Sequence, residues 1–180
     1  KSIEYREAHK DGNQRFDNET KLEKIKKIWE KVITHRKLKI CAGKIDVEST
    51  EENTEIYNGN LMSDGERAIF YFIAEVVSAK ENSLIIIDEP ENHLHNSILE
   101  RLWNEIESER QDCVYLYITH NLDFVRTRNN TQIVWIKNMI NKQKWDYELL
   151  DSNEFSDDLL LEILGSRQGV LFVEGTPDKS

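Results

Sequence analysis

The chain has 180 residues, 38% hydrophobic and 32% charged, which suits one domain, or one domain plus a fragment, around a core of moderate size. Its 24 basic and 34 acidic residues leave a net charge of −10, which argues against a general binder of the phosphate backbone while leaving room for a local basic groove. No stretch reaches the length of a membrane span and no signal peptide is visible, so a cytoplasmic protein without a membrane partner is expected.

Residues 1–20 are polar, with Asp11-Gly12-Asn13 as a turn signal, and read as low order or a short helix; Asn18 is a candidate cap for the next element. Over residues 21–34, Leu22, Ile25, Ile28, Trp29, Val32 and Ile33 recur at helical spacing. That pattern is an amphipathic helix whose lysine-rich outer face reads as a solvated surface before it reads as a nucleic-acid patch. Residues 38–42 and 44–47 alternate as strand, residues 55–57 form a second short strand, and Asn58-Gly59-Asn60 is a turn. Cys41 and Cys113 lie in apolar strand contexts and read as small buried hydrophobes in a reducing compartment. Gly43-Lys44 fails as the end of a phosphate-binding loop, because Ile45 stands where Ser or Thr is required and no glycine lies five residues earlier.

Ser63-Asp64-Gly65-Glu66-Arg67 leads into a strongly apolar helix over residues 68–77. Ser63 suits an N-cap and Glu66 completes a capping box. The same geometry offers an anion site, with free amides at the helix start and Gly65 allowing a close backbone approach. Both readings stand at this point.

Leu84-Ile85-Ile86-Ile87 runs straight into Asp88, Glu89 and Pro90. A continuous apolar run of this kind reads as a fully buried strand in the middle of a parallel sheet. Carboxylates at its end are costly unless a cation compensates them; the competing reading is a core strand that merely ends in an acidic turn. A helix is expected from residue 91 to about 109, with Ile98, Leu102, Trp103 and Ile106 on one face. His93 and His95 point in different directions on such a helix and make a poor metal pair. Residues 113–118 read as another buried strand, ending in Thr119-His120-Asn121. In a parallel sheet Asp88, Glu89 and His120 emerge at one carboxyl edge, where ligands bind. Residues 131–136 and 144–150 read as two strands with a hairpin around 138–141, residues 157–164 as a short helix closed by Gly165, and residues 168–174 as a strand ending in Glu174.

In order and spacing, Ser63 to Glu66, Leu84 to Glu89 and His120 resemble the second half of an ATP-binding-cassette-type ATPase head. The subclass is the AAA-labelled ATPases akin to chromosome-maintenance and double-strand-break-repair ATPases. Ser63 to Arg67 resembles their signature motif, Ile85 to His95 their Walker B strand and the start of the D-loop region, and Ile118 to Asn121 their switch histidine. The resemblance covers residues 38–136. It implies an α/β P-loop NTPase fold with a mostly parallel sheet flanked by helices, preceded by a helix and short antiparallel strands. It implies ATP and Mg2+ as cofactors: Asp88 would hold Mg2+ through a water, Glu89 would orient or deprotonate the attacking water, and His120 would contact the γ-phosphate. Ser63, Asp64, Gly65 and Glu66 would cover the ATP of a partner protomer, which implies a homodimer or higher homo-oligomer.

The family's Walker A loop, Gly-x-x-x-x-Gly-Lys-Ser/Thr, does not occur in these residues. The expectation is therefore a piece of a longer protein that alone neither binds ATP tightly nor turns it over. Val170 to Asp178 resembles the first strand and acidic loop of a TOPRIM domain, a metal-dependent nuclease and topoisomerase fold, and implies acid/base or metal roles for Glu174 and Asp178. The later Asp-x-Asp of that fold is absent. An ATPase followed by TOPRIM resembles the overcoming-lysogenization-defect nucleases and related anti-phage systems. The expected organisation is a lid or arm region over 1–36, the ATPase head over 37–165, and the start of a TOPRIM-like domain over 168–180. The expected function is ATP hydrolysis that controls a nuclease or effector acting on nucleic acid in phage defence. One rival is a DNA-repair or chromosome-organising ATPase without nuclease, which residues 21–34 disfavour by offering barely two heptads. The other is an ATP-dependent assembly scaffold with little turnover, against which the Asp88-Glu89 pair counts.

Overall fold

Local capping sets the first element of the computed structural model, which describes residues 19–41, 43–50, 56–128, 131–151 and 170–174. Expectations for residues 1–18, the helix over 157–164 and Asp178 lie outside the described residues. The chain divides into two units, Lys1–Ala79 with Arg101–Arg110, and Lys80–Glu100 with Gln111–Ser180.

In the first unit, Thr20 is the residue that caps helix α1 (Lys21–Val32): its hydroxyl accepts the Glu23 N–H, and the Glu23 carboxylate accepts the Thr20 N–H at 2.7 Å. Ile25, Ile28, Trp29 and Val32 turn inward, while the lysine face is tied to acids, Lys24 to Glu109, Lys31 to Glu105 and Lys27 to Glu19. Strands β1 (Arg36–Cys41), β2 (Lys44–Ser49) and β3 (Tyr57–Asn58) form an antiparallel meander in which buried Leu38 faces buried Val47. The β1–β2 turn needs Gly43, whose φ is +76°. Cys41 is exposed, against the expectation of a buried thiol: it ends its strand on the outward side of the alternation, whereas Cys113 is buried as expected.

Helix α2 (Asp64–Ser78) starts four residues before the apolar run and buries Ile69, Ile73, Val76 and Val77. Phe70 meets Trp29 edge-on at 6.3 Å, and Phe72 packs on Trp103 at 5.1 Å. Arg110, 7% exposed, donates to the carbonyls of Val76 at 2.6 Å and Ala79 at 3.0 Å. A cation thus satisfies orphan acceptors where the α2 dipole is negative.

The second unit holds a five-stranded sheet, order β4-β5-β8-β6-β7, built from β4 (Leu84–Asp88), β5 (Val114–Thr119), β6 (Thr131–Asn141), β7 (Lys144–Asp151) and β8 (Val170–Glu174). Between the first two strands in the chain runs helix α3 (Asn96–Glu109), and between β5 and β6 the short α4 (Leu122–Arg126). β4 and β5 pair in parallel; β8 is antiparallel to both β5 and β6, so β4, β5 and β6 run the same way. β6 and β7 form the expected hairpin, but β6 continues through residues 138–141, expected as the turn, and the turn lies at Lys142-Gln143, with two bulges in the ladder. The result is the expected α/β fold of a sheet with flanking helices, in which β4–β5 is the parallel pairing and the other pairings are antiparallel rather than mostly parallel. The segment expected to open a second domain, Val170–Glu174, is paired on both sides in this sheet.

β4 is not the fully buried central strand expected. It is an edge strand, with Leu84 58% and Ile86 60% exposed and only Ile87 buried. The physical cause is that, among the described residues, the sheet is closed on one face alone. Ile87, Tyr117, Ile133, Trp135 and Leu150 share the buried face, where Phe124 of α4 meets the Tyr117 ring at 5.1 Å. Leu84, Ile86, Val114, Ile118, Tyr147 and Leu149 lie exposed on the other. No helix among the described residues is long and apolar enough to cross a membrane.

Candidate functional site

The acidic edge is built by the parallel pair. Asp88 is the register partner of Ile118, and the Glu89 N–H donates to the Ile118 carbonyl at 2.7 Å, carrying the ladder one residue past β4. The strand then turns abruptly. Glu89 has φ +51°, a left-handed conformation that costs a non-glycine residue about 1–3 kcal/mol and persists where surrounding structure imposes it. Buried Pro90 follows, and turns closed by Asn92 N–H to Glu89 C=O and Leu94 N–H to Glu91 C=O fill residues 89–95. The helix expected from residue 91 therefore begins only at Asn96. His95 helps start it: its Nδ1 accepts the Ser97 N–H at 3.3 Å and lies 3.0 Å from the Ser97 hydroxyl. His93 has φ +63°, and it and His95 precede the helix expected to carry them.

His120 emerges from β5 beside Glu89. Its Nδ1 lies 3.8 Å from Glu89 Oε1 and 3.7 Å from Glu91 Oε1, just beyond hydrogen-bond reach of both carboxylates. The imidazole is 67% exposed, the Glu89 side chain 44% and the Glu91 side chain 10%. Behind them Thr119 Oγ1 donates to Glu91 Oε1 at 2.6 Å and accepts the Asn121 N–H at 2.9 Å. Asn121 caps α4, and its amide and that of Asn96 lead by hydrogen bonds to Asp123. The edge thus brings Asp88, Glu89 and His120 together at the carboxyl ends of β4 and β5. The sequence pattern presents Glu91 only as the start of a helix; a further carboxylate two residues past Glu89 is the signal that could have found it.

The serine motif belongs to the other unit. Ser63 caps α2 as expected: its Oγ accepts the Glu66 N–H at 3.3 Å and donates to Glu66 Oε2 at 3.0 Å, while the Ser63 N–H donates to the same oxygen at 2.9 Å. Two residues not singled out from sequence complete the arrangement. Tyr57 OH donates to Glu66 Oε1 at 2.6 Å, and Arg36 Nε lies 3.6 Å from that oxygen, with its guanidinium 5.9 Å from the Tyr57 ring. Burial pushes the Glu66 carboxyl upward, but the bonds from Tyr57 and Ser63 and the charge of Arg36 outweigh it and hold the group below its ordinary range. Burial, then the bond to and charge of Glu66, push the Tyr57 phenol up to about 12 against the pull of Arg36. Asp64 stays exposed in the first turn with Arg67 at 3.6 Å. As the first residues of α2, Asp64 and Gly65 have no carbonyl of an earlier turn for their N–H groups to bond.

Glu174 does not join the acidic edge. β8 runs antiparallel to β5 and pairs Glu174 with Tyr115, near the start of β5, while Val170 pairs with Thr119. Among the described residues no three His, Cys, Asp or Glu side chains gather into a metal cage. The Asp88 carboxylate, exposed at the end of β4, fits the one or two carboxylates through which a protein holds Mg2+.

Residues 5–134 match the family model described as AAA domain, putative AbiEii toxin, Type IV TA system. No curated protein matches. Among solved structures, one chain from work on ATP-driven dimerisation and DNA-stimulated activation of SMC ATPases aligns with a TM-score of 0.58 and 15% identity, over 81% of this chain and 91% of that one. The Smc head domain with an extended coiled coil bound to the C-terminal domain of ScpA, from Pyrococcus furiosus, aligns with a TM-score of 0.52 and 17% identity, over 78% of this chain and 37% of that one. At these identities the likeness is one of fold, that of the SMC ATPase head.

Proposed function

Since the chain belongs to the AAA-domain family described as putative AbiEii toxin, Type IV TA system, we propose that it forms the signature and Walker B part of an ATPase head that closes on ATP as a homodimer. The observation that carries this reading is the 3.8 Å approach of His120 to Glu89 at the ends of adjacent parallel strands. Glu89 is the base that orients or deprotonates the attacking water, and its exposed oxygens leave room for that water. His120 contacts the γ-phosphate. Asp88, exposed at the strand end, is the residue to hold Mg2+, which when bound neutralises charge on the phosphates. Ser63, Asp64, Gly65 and Glu66 face the ATP of the partner protomer: the Asp64 and Gly65 N–H groups are the anion donors, and Ser63 adds its hydroxyl when the proton it gives to Glu66 turns to the phosphate. Dimerisation is supported by the fold shared with SMC heads, for which ATP-driven dimerisation is described.

The proposal stops at the ATPase. Val170–Glu174, the strand part of the stretch Val170 to Asp178 that carries the nuclease resemblance, is a strand of the same sheet with ladders on both sides. The test uses the full-length protein with ATP and Mg2+, measuring phosphate release and molar mass by light scattering. ATP-dependent doubling of mass together with turnover supports the reading. A protein that neither hydrolyses ATP nor changes mass overturns it.

A further inference from the structure

We propose that Glu91 is a positioning residue for His120: a buried carboxylate that pins the end of β5 through Thr119 and draws the imidazole Nδ1 toward itself, leaving Nε2 for the ligand. The proposal rests on the ATPase reading only for what Nε2 meets; the relation between Glu91 and His120 stands on geometry.

Three observations carry it. The Glu91 side chain is 10% exposed, and its Oε2 is buried with no hydrogen-bond partner among the described residues. An unpartnered buried carboxylate oxygen is expensive; the other oxygen, Oε1, which accepts from Thr119, is the one that lies 3.7 Å from His120 Nδ1. Next, one hydroxyl fixes the backbone on both sides of that histidine: Thr119 Oγ1 donates to Glu91 at 2.6 Å and accepts the Asn121 N–H at 2.9 Å. Finally, Nδ1 is almost equidistant from the two carboxylates, at 3.7 Å from Glu91 and 3.8 Å from Glu89, but their surroundings differ. Glu89 is 44% exposed and its Oε2 accepts from Asn92, so water screens it and a neighbour occupies it. At equal distance the attraction of the buried carboxylate is stronger. Closing the 3.7 Å approach by about 0.7 Å would bring it to hydrogen-bond length. The tautomer is then fixed with Nδ1–H toward Glu91, the way a carboxylate commonly orients a working histidine.

The test is made in the full-length protein labelled with 15N-histidine, with H120Q assigning the His120 ring signals. Glu91→Gln keeps size and an acceptor for Thr119 but removes the charge. The expected result is that E91Q shifts the His120 ring nitrogens toward the other tautomer, and does so more than E89Q. ATP turnover should lose about tenfold in kcat with KM within about twofold, and Glu91→Asp should recover part of it. Ring signals in E91Q identical to wild type, or moved by E89Q alone, overturn the proposal. A wild type without ATP turnover refutes the ATPase reading, while the ring signals still decide on Glu91. Should E91Q not fold, Thr119→Val removes the hydroxyl that pins the strand end, and unchanged ring signals there overturn the proposal equally.

Discussion

The start of α2 and the end of β4 use the same residue types to opposite ends. Around Glu66 the polar groups are spent on one another: its carboxylate accepts from the Ser63 N–H, the Ser63 hydroxyl and Tyr57, with Arg36 alongside. Around Glu91 only Thr119 bonds to the carboxylate; the other groups are held close and left short of bonding, with a buried orphan oxygen, an imidazole beyond hydrogen-bond reach and a neighbouring backbone at φ +51°. Satisfied networks are how a fold stabilises buried polar groups. Groups kept apart against their own attraction mark a place that something else completes. The comparison separates what the serine motif needs in order to fold from what the acidic edge needs in order to react.

If that distinction is right, substitutions at the two places fail differently. The largest effect is expected from Glu89→Gln. Turnover by the full-length protein should drop by about 10²–10⁴-fold while ATP binding, read by a fluorescent nucleotide, stays near wild type and thermal stability does not fall. Equal losses of binding and turnover would place Glu89 in binding rather than in chemistry. Tyr57→Phe takes a donor from the partly buried Glu66 and should cost about 1–3 kcal/mol of stability, seen as a lowered urea midpoint with unchanged slope. An unmoved midpoint would break the comparison, because the network would then be worth nothing. Ser63→Ala removes an N-cap and should cost about 1 kcal/mol. A loss of turnover at nucleotide saturation beyond that destabilisation would show that Ser63 also acts on phosphate.

The smallest effects lie in the pH dependence. The folded Glu66 carboxyl sits below its ordinary 4.5, so the stability it adds is present above that value and is lost as pH falls through the folded one; Glu66→Gln should flatten this acid limb of melting temperature against pH. The folded Tyr57 phenol is raised from 10.0 to about 12, so its contribution is complete below pH 10 and declines as pH climbs toward 12. Tyr57→Phe should remove that decline. An alkaline limb unchanged by the substitution would show that Tyr57 does not titrate as its surroundings imply.

Much of this was legible because it is local. The spacing of Ile25, Ile28, Trp29 and Val32 specifies a helix and its buried face, and Ser63 with Glu66 specifies a cap. The approach of His120 to the acidic pair follows from two apolar runs that each end in polar residues, which a parallel pairing brings to one edge. What escaped depends on contacts distant in sequence. Nothing in Leu84-Ile85-Ile86-Ile87 tells whether each side of the strand meets protein, and the alternation of burial along β4 comes from the sheet having one covered face. Arg36 and Tyr57 reach Glu66 only because the β1–β3 meander returns to the start of α2. Glu91 reads as a helix residue because a proline followed by polar residues resembles a helix start, whereas the positive φ values at Glu89 and His93 hold residues 89–95 in turns.

The left-handed backbone at Glu89 sets survival of the fold against survival of the chemistry. In a randomised library sorted by heat tolerance alone, Glu89→Gly and Glu89→Asn should be enriched, since either residue accepts φ +51° more readily than glutamate and relieves about 1 kcal/mol of strain. The same library sorted for ATP turnover should reject both. Retention of glutamate there would be the signature of selection for work rather than for durability.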